Sequence, residues 1–236
     1  MTYDLFYWGG IPGRGEFVRL ALEYSGADYR EMNREESGSV PALLTDSAIT
    51  TPSFAPPYLR DGDIFIGQTG AILHYLGPRL DLAPKDETTR NWLLQIQLTI
   101  ADMVAEAHDV HHPVGVGRYY EDQKSEALRR AEEFRDQRIP KFLDWFARVL
   151  ERNPHGDGHL VGQGVTYADL SLFHLIRGLQ YAFPKAMKRH GAGHRAVLDL
   201  ADSIEADERL AAYLASDRRL AFNEDGIFRH YPELDG

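Results

Sequence analysis

The chain contains no cysteine in its 236 residues. Disulfides, thiolate metal sites and a protein-borne cysteine nucleophile are therefore excluded, and any sulfur chemistry must use a thiol carried by a ligand. No apolar run approaches the roughly 20 residues that span a bilayer. The start, Met1-Thr2-Tyr3-Asp4, places an acid where a signal peptide carries positive charge. A cytoplasmic protein without a membrane partner is the resulting expectation. Positive charge is also short: 26 Lys plus Arg face 36 Asp plus Glu, for a net charge of -10. That balance repels phosphate backbones and argues against nucleic acid as a partner. Hydrophobic residues, at 43%, suffice for an ordinary core.

What is present falls into two patterns. Up to about residue 80 the pattern changes often. Tyr3 to Trp8 predicts a strand, and Gly9 to Gly13 a turn. Phe17, Leu20, Ala21 and Tyr24 then recur with helical spacing up to Gly26. Residues 33 to 53 are polar and read as irregular. Tyr58-Leu59-Arg60 and Ile64-Phe65-Ile66 flank Asp61-Gly62, a hairpin signal, and a helix opens at Gly67-Gln68-Thr69. From residue 88 onward only helical periodicity appears, near 89–111, 123–151, 166–182 and 194–216, with a Gly-rich break between Asn153 and Val165 and an irregular tail from Asp217. The fold class is α/β plus all-α: a first domain over 1–79, a linker over 80–87 and an all-helical domain over 88–236.

Several residues carry possible chemistry. Thr166-x-x-Asp169 forms a capping box flanked by Val165 and Leu170, a folding determinant. Pro57 opens a strand where a proline supplies no ladder N–H, and by itself reads as an ordinary edge proline. Gln68-Thr69 stands where a strand gives way to a helix, whose N-terminus suits a carboxylate, although a threonine there is more often only a cap. Tyr7 ends a strand against a Gly-rich turn. That turn lacks the Gly-Lys-[Ser/Thr] of a phosphate loop. Arg14 is expected to pair with an interior or interface carboxylate. His108, Asp109, His111 and His112 cluster with partial helical spacing, but Pro113 ends the helix and no glutamate stands in a catalytic register, so no metal is assigned.

Taken in order, Tyr7-Trp8, Arg14-Gly15, Pro57-Tyr58-Leu59, Asp61-Gly62, Gln68-Thr69, Val161-Gly162 and Thr166-x-x-Asp169 resemble the cytosolic glutathione transferases, nearest their tyrosine-type mu, pi and sigma classes. Leu214-Ala215-Ser216 is similar too, so the resemblance covers nearly the whole chain. It implies a thioredoxin-like first domain and a helical second domain supplying an electrophile site. It also implies an enzyme: a detoxifying transferase with glutathione as co-substrate and no metal, which conjugates, isomerises or reduces a small hydrophobic electrophile. Tyr7 would be the catalytic hydroxyl and Pro57 a cis-proline. Gln68 and Thr69 would hold the γ-glutamyl end, with Trp8 and Arg14 lining or bracing the site. Asp102 would reach the glutathione amino group of a neighbouring subunit in a homodimer. Ile11, His108 and His112 would border the electrophile. The residue before the cis-proline ordinarily gives its N–H and C=O to glutathione; here it is Pro56, which has no N–H. Loose glutathione binding follows, and a non-catalytic ligand-binding or docking protein on the same fold is the alternative.

Overall fold

A computed structural model describes residues 2–156 and 158–236. The first unit is built on a four-stranded sheet in the order β2-β1-β3-β4. Strand β1 (Tyr3–Phe6) runs parallel to β2 (Tyr29–Glu31) and antiparallel to β3 (Tyr58–Asp61), which in turn pairs antiparallel with β4 (Ile64–Gly67). Helix α1 (Gly15–Ser25) crosses between the parallel pair, because parallel neighbours cannot be joined by a tight turn. Its residues Val18 and Leu22 pack with Leu5, Leu59, Ile72 and Leu76, the last two from α4 (Thr69–Leu76). This is a thioredoxin-like unit. The β3–β4 turn is Gly62-Asp63, one residue later than the sequence signal, and only Gly62 takes positive φ.

The second unit is wholly helical: α5 (Glu87–His111), α6 (Lys124–Glu133), α7 (Ile139–Glu151), α8 (Tyr167–Ala182), α9 (Pro184–Gly191), α10 (Arg195–Glu205), α11 (Glu208–Leu214) and the short α12 (Pro232–Asp235). Helix α8 runs through the core, and most of its residues are buried. It starts where expected, since Thr166 and Asp169 form the capping box. The Asp169 carboxylate accepts from the Leu160 N–H, the Thr166 N–H and the Thr166 hydroxyl at 2.8, 2.7 and 2.6 Å. The segment between the units is tied down by the Tyr167 N–H, which donates to the Leu82 carbonyl at 3.0 Å.

Four expectations need correction. Residues 33 to 53 are not wholly irregular, because α2 (Met32–Glu35) and α3 (Ser39–Leu44) form there. The long helix expected over 123–151 is interrupted by a widened turn at Phe134–Arg138. Pro140 accounts for it: its ring cannot donate to, and clashes with, the carbonyl four residues back. The helix expected over 194–216 is two, since the Asp207 carboxylate accepts from the Arg209 N–H and starts α11 afresh. Helix α9 was not anticipated; it begins at Pro184, a residue suited to a first helical turn.

Candidate functional site

Tyr7 follows β1 and is only 4% exposed. Its ring and hydroxyl lie against Gly13 and Gly15, where a Cβ at either position would collide with it. Gly13 also has positive φ, so this turn needs glycine for both space and conformation. The turn aims the Arg14 N–H at the Tyr7 hydroxyl oxygen, which accepts it at 2.9 Å. Among the described residues the hydroxyl has no acceptor for its own proton. Burial pushes the phenol's pKa up, with the Arg14 N–H and nearby Arg14 and Arg19 charges pulling the other way. Tyr7 is thus a protonated donor at neutral pH.

The Arg14 carbonyl points toward the Thr69 hydroxyl, 3.5 Å away at the start of α4. Together these residues border a cleft of about 460 Å³ lined by Arg14, Gln68 and Thr69 on one side and Leu94, Gln97 and Ala101 of α5 on the other. The Ile72 N–H makes the first intrahelical bond, to the Gln68 carbonyl. The N–H groups of Thr69, Gly70 and Ala71 are therefore free of intrahelical partners and give the cleft a positive pole. Gln68 itself sits at positive φ, which turns the chain from β4 into the helix. Among the described residues no Asp or Glu lines this cleft.

Tyr7 is not among the residues lining this cleft, and neither are Trp8, Ile11, Pro56, Pro57, Asp102, His108 and His112. The Pro56–Pro57 peptide is cis, as the resemblance implied and the bare sequence did not. Pro57 is buried and Pro56 half-buried, immediately before β3. Asp102 is exposed on α5, next to the cleft residue Ala101. Trp8 is exposed and not among the residues lining the cleft. Ile11 is half-buried in the turn that ends at Arg14. His108 and His112 stack with ring centroids 4.9 Å apart, and His111 lies edge-on to both. The His111 ring bonds the Ile227 carbonyl through Nε2 at 2.8 Å, fixing the irregular tail beneath the cluster. Burial holds His108 at a pKa of about 4, aided by the His112 and Arg14 charges, and His111 at about 3. These rings are neutral at physiological pH.

Among the described residues Arg14 pairs with no carboxylate of its own chain, which sets aside the interior partner expected for it. Arg19 takes that place. Its guanidinium is fully buried, bonds Glu16 and Glu31, and donates to the Pro12 carbonyl at 3.1 Å, beneath the turn that carries Arg14. The sequence reading also missed Gln97, which is 1% exposed and lines the cleft while its Oε1 has no hydrogen-bond partner among the described residues. The available signal was its register: Gln97 falls four residues after Leu93 and three before Ile100, on the apolar face of α5.

Residues 108–217 match the model of the family described as glutathione S-transferase, C-terminal domain. The chain is 25% identical over 223 residues to glutathione S-transferase P 1 of Xenopus laevis, covering 92% of this chain and 93% of that protein. It is likewise 25% identical over 228 residues to glutathione S-transferase Mu 3 of Mus musculus, covering 93% and 94%. Among solved structures, prostaglandin synthase D of Nilaparvata lugens superimposes with a TM-score of 0.72 at 19% identity, covering 94% of this chain and all of that one.

Proposed function

This chain belongs to the glutathione S-transferase family, and we propose that it activates the thiol of glutathione for attack on a hydrophobic electrophile. The observation that carries the reading is the Tyr7 hydroxyl: buried, protonated, braced by the Arg14 N–H and with a proton that no group among the described residues accepts. A thiol with a pKa near ~8.5 is only a few per cent ionised at neutral pH. A phenol donating to the thiolate is worth about 1.5–3 kcal/mol, which lowers that pKa by about one to two units. The nucleophile then belongs to the ligand, as a chain without cysteine requires. The γ-glutamyl carboxylate would rest on the N–H groups at Gln68–Ala71. The electrophile would lie beyond Tyr7, against Ile11 and the neutral rings of His108 and His112. Conjugation, isomerisation and peroxide reduction all use this activated thiol.

Tyr7→Phe tests the reading. Turnover with a generic aryl halide should fall about 10- to 100-fold, the factor that a hydrogen bond to a charged group supplies. Retention on immobilised glutathione should persist. Unchanged turnover would refute the role given to Tyr7. Pro56 supports the alternative, a weakly binding and non-catalytic protein, because two successive prolines leave no N–H to meet a peptide ligand before β3. If ligands bind yet no electrophile consumes thiol above background, that alternative stands.

We assign homodimerisation to the same reading, with Asp102 facing the partner's ligand. Phe54, 93% exposed, and Leu98, exposed on α5 beside the cleft, are the apolar surface that pairing would cover. Sedimentation at the mass of a single 26.7 kDa chain, at micromolar concentration, would refute it.

A further inference from the structure

A second cavity, of about 480 Å³, opens on the helical unit between the start of α5 and the end of α7. Part of its wall is aromatic. Trp92 of α5 and Trp145 of α7 meet edge to face with ring centroids 6.2 Å apart, and Phe146 packs edge-on against Trp145 at 5.1 Å. Trp92 is still 36% exposed, so the indole pair leaves ring surface open to a ligand. Arg148, in the last turn of α7, and Arg152, its C-cap, stand one turn apart and line the same cavity. Neither guanidinium makes an ion pair or a hydrogen bond among the described residues. In a chain of net charge -10, two such cations together are an exception. The carboxylate of Asp86 also lines the cavity. Its Oδ1 accepts from the Thr89 N–H and hydroxyl at 2.8 Å each, and its Oδ2 from nothing among the described residues. The opposite wall holds its shape through Asn153, whose Nδ2 donates to the His159 and Gly162 carbonyls at 2.9 and 2.8 Å.

Three kinds of chemistry therefore share one cavity: open indole rings, paired guanidiniums and a carboxylate oxygen in want of a donor. A simple aromatic acid uses the first two and is repelled by the third. A nucleoside phosphate uses all three. Its base stacks on an indole, its phosphate takes the guanidinium forks, and its ribose hydroxyls donate to the carboxylate. We infer that this cavity is a binding site for a nucleoside mono- or diphosphate. Its volume lies within the range of about 300–1,000 Å³ that small-molecule sites occupy. The acidic surface does not oppose this, because salt screens charges beyond about 8–10 Å and a single nucleotide meets only the local field. A long phosphate backbone would meet the rest of the surface and be repelled. The site shares no lining residue with the cleft beside Thr69 and stands apart from the glutathione reading.

The test is calorimetric titration of the full-length chain with ADP and with adenosine, each with and without saturating glutathione. ADP should bind at sub-millimolar concentration whether or not glutathione is present, and adenosine about tenfold more weakly or less tightly still. ADP lacking both ribose hydroxyls should also bind about tenfold more weakly than ADP, having no donor for Asp86. Arg148→Gln should weaken ADP about tenfold and leave adenosine within about twofold, because only the phosphate loses a contact. Arg152→Gln repeats that deletion at the second cation. Trp92→Leu should weaken ADP and adenosine alike, by about tenfold, as loss of a stacking face would. Thiol turnover should be unchanged in all three variants. Absence of ADP binding at millimolar concentration overturns the inference, as does equal binding of ADP and adenosine. Displacement of ADP by glutathione would put the nucleotide in the other cleft and overturn it too. A naphthalene sulfonate that binds where ADP does not would make this an aromatic-acid site, and the nucleotide assignment would fall.

Discussion

Asp169 and Gln97 are both polar side chains buried in the helical unit, and they differ in one respect. Every oxygen of Asp169 is occupied: Leu160 and Thr166 give it two N–H groups and a hydroxyl, all within 2.8 Å. Glu16, under α1, is similar, accepting from the Tyr213 hydroxyl at 2.7 Å and paired with Arg19 and Arg219. By contrast, the Oε1 of Gln97, a residue lining the cleft, has no donor, and the proton of Tyr7, beneath the neighbouring Gly13–Gly15 turn, has no acceptor among the described residues. A satisfied buried group holds the fold together. An unsatisfied one costs roughly 1–3 kcal/mol. Absence of a partner alone does not mark a site, since among the described residues the Tyr58 and Tyr167 hydroxyls, Ser171 and His174 are also buried and unpaired away from the cleft.

Substitution turns the comparison into numbers. The largest effect should come from Asp169→Ala, which strands two buried N–H groups and opens the start of α8. A loss of about 3 kcal/mol or more is expected, measured by urea unfolding at fixed slope. A loss under about 1 kcal/mol would mean that the box is not what holds α8 in place. Tyr7→Phe is intermediate. It removes the acceptor of the Arg14 N–H but none of the packing against Gly13 and Gly15, so about 1 kcal/mol of stability should go. A neutral result would show that water replaces the hydroxyl and that Arg14 N–H does not brace it.

The scaffold side of this contrast was legible in the sequence, and the site side only in part. The Thr166–Asp169 box is local in the chain, so its four-residue spacing fixed the start of α8 to within a residue. The hydrophobic period located α5 to within two residues. Strand β2 was missed because it has only three residues and none of them is buried. The break at Phe134–Arg138 was missed because Pro140 disturbs the turn before it, not its own position. Tyr7, Gln68 and Thr69 could be nominated because they end or begin elements. Their bland readings were as good until the order of motifs supplied a resemblance. Gln97 could not be nominated from chemistry at all. Its burial comes from α4 lying across α5, a contact between residues 27 apart that no local pattern encodes. That the interior ion pair is made by Arg19 and not by Arg14 was hidden for a related reason. Both lie near the same turn, and only the path of α1 decides which guanidinium points inward.

The smallest effect is the most discriminating. Replacing a hydrogen-bonded buried polar group with an apolar one destabilises, whereas replacing an orphan of similar shape removes a desolvation cost and loses no bond. Gln97→Leu should therefore leave the unfolding free energy of the ligand-free chain unchanged or raise it by up to about 1 kcal/mol. Helix propensity favours the exchange only slightly, because leucine and glutamine rank together, so a rise is attributable to the orphaned acceptor. Unfolding curves of the two ligand-free proteins decide the matter. Should Gln97→Leu destabilise the ligand-free chain as Asp169→Ala does, Gln97 has a partner in solution and belongs with Asp169.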